Sequence, residues 1–121
     1  MRLSTTLISP FLFLLLITNV FGATSVSFQN TTTINPPPPL RASASASPNP
    51  AKVNQPASFS CAATGGIQPY SYSWTFGDGT SGTVQNPTHT YTTLGPMIAT
   101  CTVTDQIGTS ANDSTTVIVG P

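Results

Sequence analysis

Between Tyr70 and Phe76 aromatic residues alternate with Ser and Thr, so a strand there puts Tyr70, Tyr72, Trp74 and Phe76 on one face and hydroxyls on the other. Four rings on one face require a second layer to bury them. The same period of two runs through Ala57, Phe59, Cys61 and Ala63, through Met97, Ala99, Cys101 and Val103, and through Thr115, Val117 and Val119. Ala42 to Ser47 alternates small apolar residues with hydroxyls, which suits either an edge strand with one shallow buried side or a flexible linker. Pro48 and Pro50 then break the pattern, since neither can donate to a ladder, and a kinked first strand that switches sheets is expected. Thr88 to Thr92 predicts a short strand carrying His89 and Tyr91, and Ser114 to Val119 predicts the last strand. Turn signals at Asn54–Pro56, Thr64–Gly66, Gly77–Gly79, Asn86-Pro87, Leu94–Pro96 and Asp105–Gly108 separate these runs. Short strands, frequent turns and no helical period predict an all-β antiparallel sandwich in a single domain, six or seven strands in all by the usual spacing, or about that number. The Gly-Asp-Gly unit occurs once, so no repeat array is expected.

The chain ahead of these strands is organised differently. Arg2, an apolar run from Leu7 to Val20 and the small residue Gly22 before Ala23 read as a secretory signal peptide over residues 1–22. That run, interrupted by Pro10, is about 14 residues against the roughly 20 of a spanning helix, so cleavage is expected, with a retained anchor as the alternative. Residues 23–41 form a Thr/Pro-rich linker in which Thr31–Thr33 leads into Pro36–Pro39. Four prolines favour an extended polyproline helix, hence a stiff spacer; a ligand for an aromatic groove is the other reading. Residues 42–121 are left for the domain.

Composition narrows the partners. Arg41 and Lys52 face Asp78, Asp105 and Asp113 in the mature chain, with no glutamate, so no basic stripe exists for phosphates and nucleic acid is not expected. No membrane span is expected after signal cleavage. Sequons at Asn30 and Asn112 are candidate glycosylation sites, while Pro87 excludes Asn86.

Cys61 and Cys101 each fall on the inward parity of a strand, which in a secreted chain points to a disulfide, with Trp74 between them in sequence. Closing a loop of about 40 residues stabilises by about 4 kcal/mol. Two free thiols acting on a metal or in redox chemistry is the rival reading, but no Cys-x-x-Cys spacing supports it. Asp78 and His89 could orient a hydroxyl nucleophile. With one histidine and no Gly-x-Ser-x-Gly elbow, the expectation is instead that Asp78 accepts amides of its own turn while His89 bonds a neighbouring loop. Asp78, Asp105 and Asp113 are weak candidate ligands for calcium, since their spacing matches no EF-hand and acids in separate turns are commonly turn formers. Tyr70, Tyr72 and Trp74 could stack on sugar rings, although their parity is inward; Tyr70 is the one expected to be exposed.

Trp74-Thr75-Phe76-Gly77-Asp78-Gly79, His89-Thr90-Tyr91, Gly95 and the Thr100–Asp105 strand together resemble the PKD (polycystic-kidney-disease) domains. The resemblance covers Ala42 to about Val119 and implies an immunoglobulin-like antiparallel β-sandwich. It also implies a non-catalytic extracellular module for adhesion, spacing or recognition of protein or carbohydrate, with no cofactor. Two alternatives stay open: a structural subunit that self-assembles into a surface coat or filament, and an accessory polysaccharide-binding module. The chain departs from the family at Pro96-Met97, where a tyrosine is usual, and in its two cysteines. Those domains usually accompany a catalytic or anchoring partner, so a free-standing module and part of a longer protein are both expected possibilities.

Overall fold

The alternating segments become strands in the computed structural model, which describes residues 34–121. The signal segment 1–22, residues 23–33 of the linker and the sequon at Asn30 lie outside the described residues. In order the strands are β1 (Arg41–Ser47), β2 (Ala51–Lys52), β3 (Pro56–Thr64), β4 (Ser71–Thr75), β5 (Ser81–Gly82), β6 (Thr88–Thr90), β7 (Gly95–Thr104) and β8 (Ser110–Gly120). One sheet has the order β1-β3-β6 and the other β2-β8-β7-β4-β5. The chain is an all-β immunoglobulin-like sandwich, and Pro36–Pro121 form one compact unit. Every pairing is antiparallel except that of β2, which runs parallel to β8. The expected sheet switch occurs at Pro48–Pro50: β1 belongs to the smaller sheet and β2 to the larger.

The buried core is the inward parity of four strands: Ala57, Phe59 and Cys61 from β3, Trp74 from β4, Ala99, Cys101 and Val103 from β7, and Val117 and Val119 from β8. Phe76 and Tyr91, just beyond β4 and β6, and Ala51 of β2 complete it. Trp74 lies opposite Cys101 in the β4/β7 register, and Cys61 reaches Cys101 across the two sheets with Sγ–Sγ 2.03 Å and Cα–Cα 6.3 Å. The indole therefore packs beside a covalent link between the layers. Phe59 meets Trp74, Phe76 and Tyr91 edge-on at centroid distances of 5.4, 5.1 and 6.3 Å, a favoured aromatic arrangement.

Two strands begin earlier than their apolar patterns suggest. β7 starts at Gly95, opposite Val119, and β8 starts at Ser110, four residues before the expected Ser114. Asp113 accordingly stands within a strand and not in a turn, a correction to the reading of all three acids as turn residues. Met97 is half-buried and packs on the core with its flexible thioether.

The polyproline segment is seated on the sandwich at its upstream end. Gly66 N–H donates to Pro38 O at 2.8 Å, and Gly65 has φ +71° with the Pro39 carbonyl where a Cβ would stand. Only glycine satisfies both conditions. Leu40 continues into β1 packed against the core.

Candidate functional site

The Gly-Asp-Gly turn and the short strand β6 bring three polar side chains together. Asp78 Oδ1 accepts the Thr80 N–H at 3.0 Å and the Thr80 hydroxyl, while Oδ2 accepts the His89 Nε2–H at 2.7 Å. The turn is anchored from below: Gly77 has φ +85°, and a Cβ there would come within 2.6 Å of the Ile98 carbonyl oxygen on β7. His89 stacks on Phe76 with centroids 4.2 Å apart and 9° between planes, and meets Tyr91 edge-on at 4.7 Å. The Tyr91 hydroxyl in turn donates to Phe76 O at 2.9 Å. The motif thus forms one connected unit from the core to the turn. The expected neighbouring-loop partner of His89 is Asp78 itself, and Thr80 is the third member that the sequence reading missed.

The electrostatics follow from these bonds. Partial burial pushes the Asp78 carboxyl up, but the Thr80 hydroxyl, His89 and the Thr80 amide together outweigh it and hold the group at about 2. Burial, aided by the nearby Asp78 charge, pushes the Tyr91 phenol up to about 12.

The arrangement does not form a nucleophile relay. A relay uses one ring nitrogen for the carboxylate and the other for the hydroxyl. Here the same Nε2 is 2.7 Å from Asp78 and 3.4 Å from Thr80 Oγ1, and the Thr80 hydroxyl is already committed to Asp78. What the three side chains do is fix a turn.

The other two acids also accept backbone amides. Asp105 is buried, and its carboxylate accepts the N–H groups of Ile107, Thr109 and Ile67 at 3.1, 2.8 and 3.2 Å. Asp113 Oδ2 accepts the Ala44 N–H of β1 at 2.8 Å. Asp78 follows β4 and Asp105 follows β7, whose antiparallel register places them at opposite ends of the larger sheet. Among the described residues no group of three His, Cys, Asp or Glu side chains gathers at one point. The three candidate ligands therefore stand apart, each occupied by protein donors.

The aromatic platform is absent from the exposed surface. Trp74, Phe76 and Tyr91 are core, while Tyr70 and Tyr72 are half-buried. Tyr70, expected to be exposed, donates its hydroxyl to Gly65 O at 2.6 Å. What the larger sheet shows outward is a grid in register: Ser71, Thr104 and Ser110; Ser73, Thr102 and Asn112; Thr75, Thr100 and Ser114. No side chain of this grid is charged. Asn112, the described sequon residue, is exposed within it. Thr100 and Ser114 share a hydrogen bond of 2.8 Å, and Thr104 and Ser110 one of 3.0 Å. Among the described residues no helix is long and apolar enough to cross a membrane.

Comparison with known proteins agrees with this geometry. The sequence model of the PKD domain matches residues 35–119. Collagenase ColA of Bacillus cereus is 45% identical over 49 residues, covering 40% of this chain and 5% of the collagenase. The PKD1 domain of the Vibrio cholerae metalloprotease PrtV superposes with TM-score 0.59 at 26% identity, over 68% of this chain and 98% of that domain. The PKD1 domain of Vibrio anguillarum Epp gives TM-score 0.56 at 23% identity, over 70% and 94%. A structure described as a carbohydrate-binding module of the β-sandwich superfamily gives TM-score 0.62 at 26% identity, over 70% of this chain and 34% of that one. The chain thus spans a twentieth of the collagenase and a third of the carbohydrate-binding structure.

Proposed function

Because the chain belongs to the PKD domain family, we propose that it serves as a non-catalytic extracellular module that recognises protein or carbohydrate. It would reach the cell exterior through the signal segment 1–22 and be held off by residues 23–35 of the linker, since the expected linker's last residues, 36–41, belong to the folded unit. The observation that carries this reading is the occupation of the titratable groups. Asp78, His89 and Asp105 are spent on turns and Asp113 on a strand edge, which leaves the β4, β7 and early β8 part of the larger sheet's outer face as an uncharged patch of hydroxyls and Asn112, flanked by exposed Ile98, Ile118 and Lys52. Such a face suits a neutral, hydrogen-bonding partner, since hydroxyls donate and accept equally and carry no desolvation cost of a full charge. Similarity to a carbohydrate-binding module and to a stretch of a collagenase supports both partner classes.

The test is retention of the purified secreted chain on insoluble chitin, cellulose and fibrillar collagen. Binding to at least one is expected, and Thr102→Lys, which sets a charge in the middle of the grid, should weaken it. Complete recovery in the wash from all three, at low as well as moderate salt, would overturn the reading.

A further inference from the structure

Along β8 the backbone alternates between pairing with β7 and facing the edge of the sheet. Thr116 O and Ile118 N–H face that edge, because the Asn49 side chain bonds both, at 2.8 and 3.0 Å, and Gly120 O faces it too, bonded by Val53 N–H at 2.8 Å. The β7/β8 register is unbroken from Ser110 to Gly120, so the same parity turns the N–H and C=O of Asn112 and Ser114 to the edge. β2 covers only Val119 and Gly120, and nothing among the described residues bonds those four groups.

Some edge groups elsewhere are stoppered by side chains. Ala44 N–H of β1 is taken by Asp113, and Cys61 of β3 is bonded through its N–H by Asn86 at 3.2 Å and through its C=O by Gln85 at 2.9 Å. The edge of β1 is capped at its middle residue, Ala44, whereas the open stretch of β8 has no cap at its middle residue, Asn112. We propose that Ser110–Ser114 is a self-pairing edge, to which a second copy of this chain adds its own Ser110–Ser114 antiparallel about a two-fold axis at Asn112. The segment is self-complementary. A two-fold contact sets Asn112 against Asn112, whose amide both donates and accepts, and Ser110 against Ser114. No like charges meet, because the one charged residue of the segment, Asp113, has the opposite parity and is held by Ala44. A strand pair this short belongs to the weak class of interfaces. The inference stands apart from the recognition role, since it uses the edge of the sheet and not its face.

The test combines sedimentation with residue-resolved amide exchange on the full chain, produced without N-glycans so that Asn112 is unmodified, at rising concentration. Dimers should accumulate with concentration, and exchange at Asn112 and Ser114 should slow in step, while Ala111 and Asp113, bonded to β7, stay slow throughout. Asn112→Lys and Ser114→Lys change exposed side chains, so the fold should persist while dimerisation weakens by about tenfold or more. A monomer at every concentration would overturn the proposal. So would a dimer indifferent to both substitutions, or protection of Asn112 and Ser114 that follows an added extended peptide and not the concentration of the chain.

Discussion

Asp78 carries more of the local order than any other exposed residue, because it accepts three donors, two from its own turn and one from His89 of β6. Asp78→Ala should cost about 1–2 kcal/mol in urea unfolding while leaving the sandwich intact. The pH dependence has a definite sign at each extreme. The Asp78 carboxyl titrates at about 2 in the fold against 3.8 without it, so its contribution is complete above about pH 4 and is lost as pH falls through 2. Tyr91 titrates at about 12 against 10.0, so its contribution is complete below pH 10 and is lost as pH rises to 12. Melting curves should therefore decline at both ends; Asp78→Asn should flatten the acid limb and leave the alkaline one. The turn role of Asp78 was legible from Gly77 and Gly79 beside it. Its pairing with His89 was raised only within a catalytic reading and set aside, since eleven residues separate them and only the seating of β6 against β3 brings them together.

At the scale of the element, side-chain amides finish strands that the backbone leaves short. Asn49 extends the two-residue β2 by bonding β8 as a strand residue would. Asn49→Ala should cost about 1–2 kcal/mol and speed amide exchange at Ile118 ahead of its neighbours, a pattern that a general loss of stability does not produce. Strands whose inward positions face the aromatic core were readable from their period, as in β3, β4 and β7. The first four residues of β8, Ser110–Asp113, were not, because their inward residues Ala111 and Asp113 are small or polar. They lie toward the edge of β1, as the Asp113 bond to Ala44 shows, and an apolar pattern has no reason to appear there. The caps at Asn49, Gln85 and Asn86 left no sequence signal beyond residue types common in turns.

Across the whole molecule the Cys61–Cys101 link, the sheet switch and the sandwich itself were legible because parity, Trp74 and the Pro48–Pro50 break agree on one answer. Reduction should lower stability by about 4 kcal/mol, given a sequence separation of 40, with Cys61→Ala/Cys101→Ala falling by a similar amount in denaturant unfolding. The same link determines how the molecule survives damage. β4, β5, β6 and the loops joining them all lie between the two half-cystines, so a peptidase that cuts there leaves both pieces covalently attached. Such a nicked molecule should gain one water in mass and fall into two bands only after a reductant is added. In surroundings rich in secreted peptidases, a cut in the most exposed turn is a scar and not an amputation.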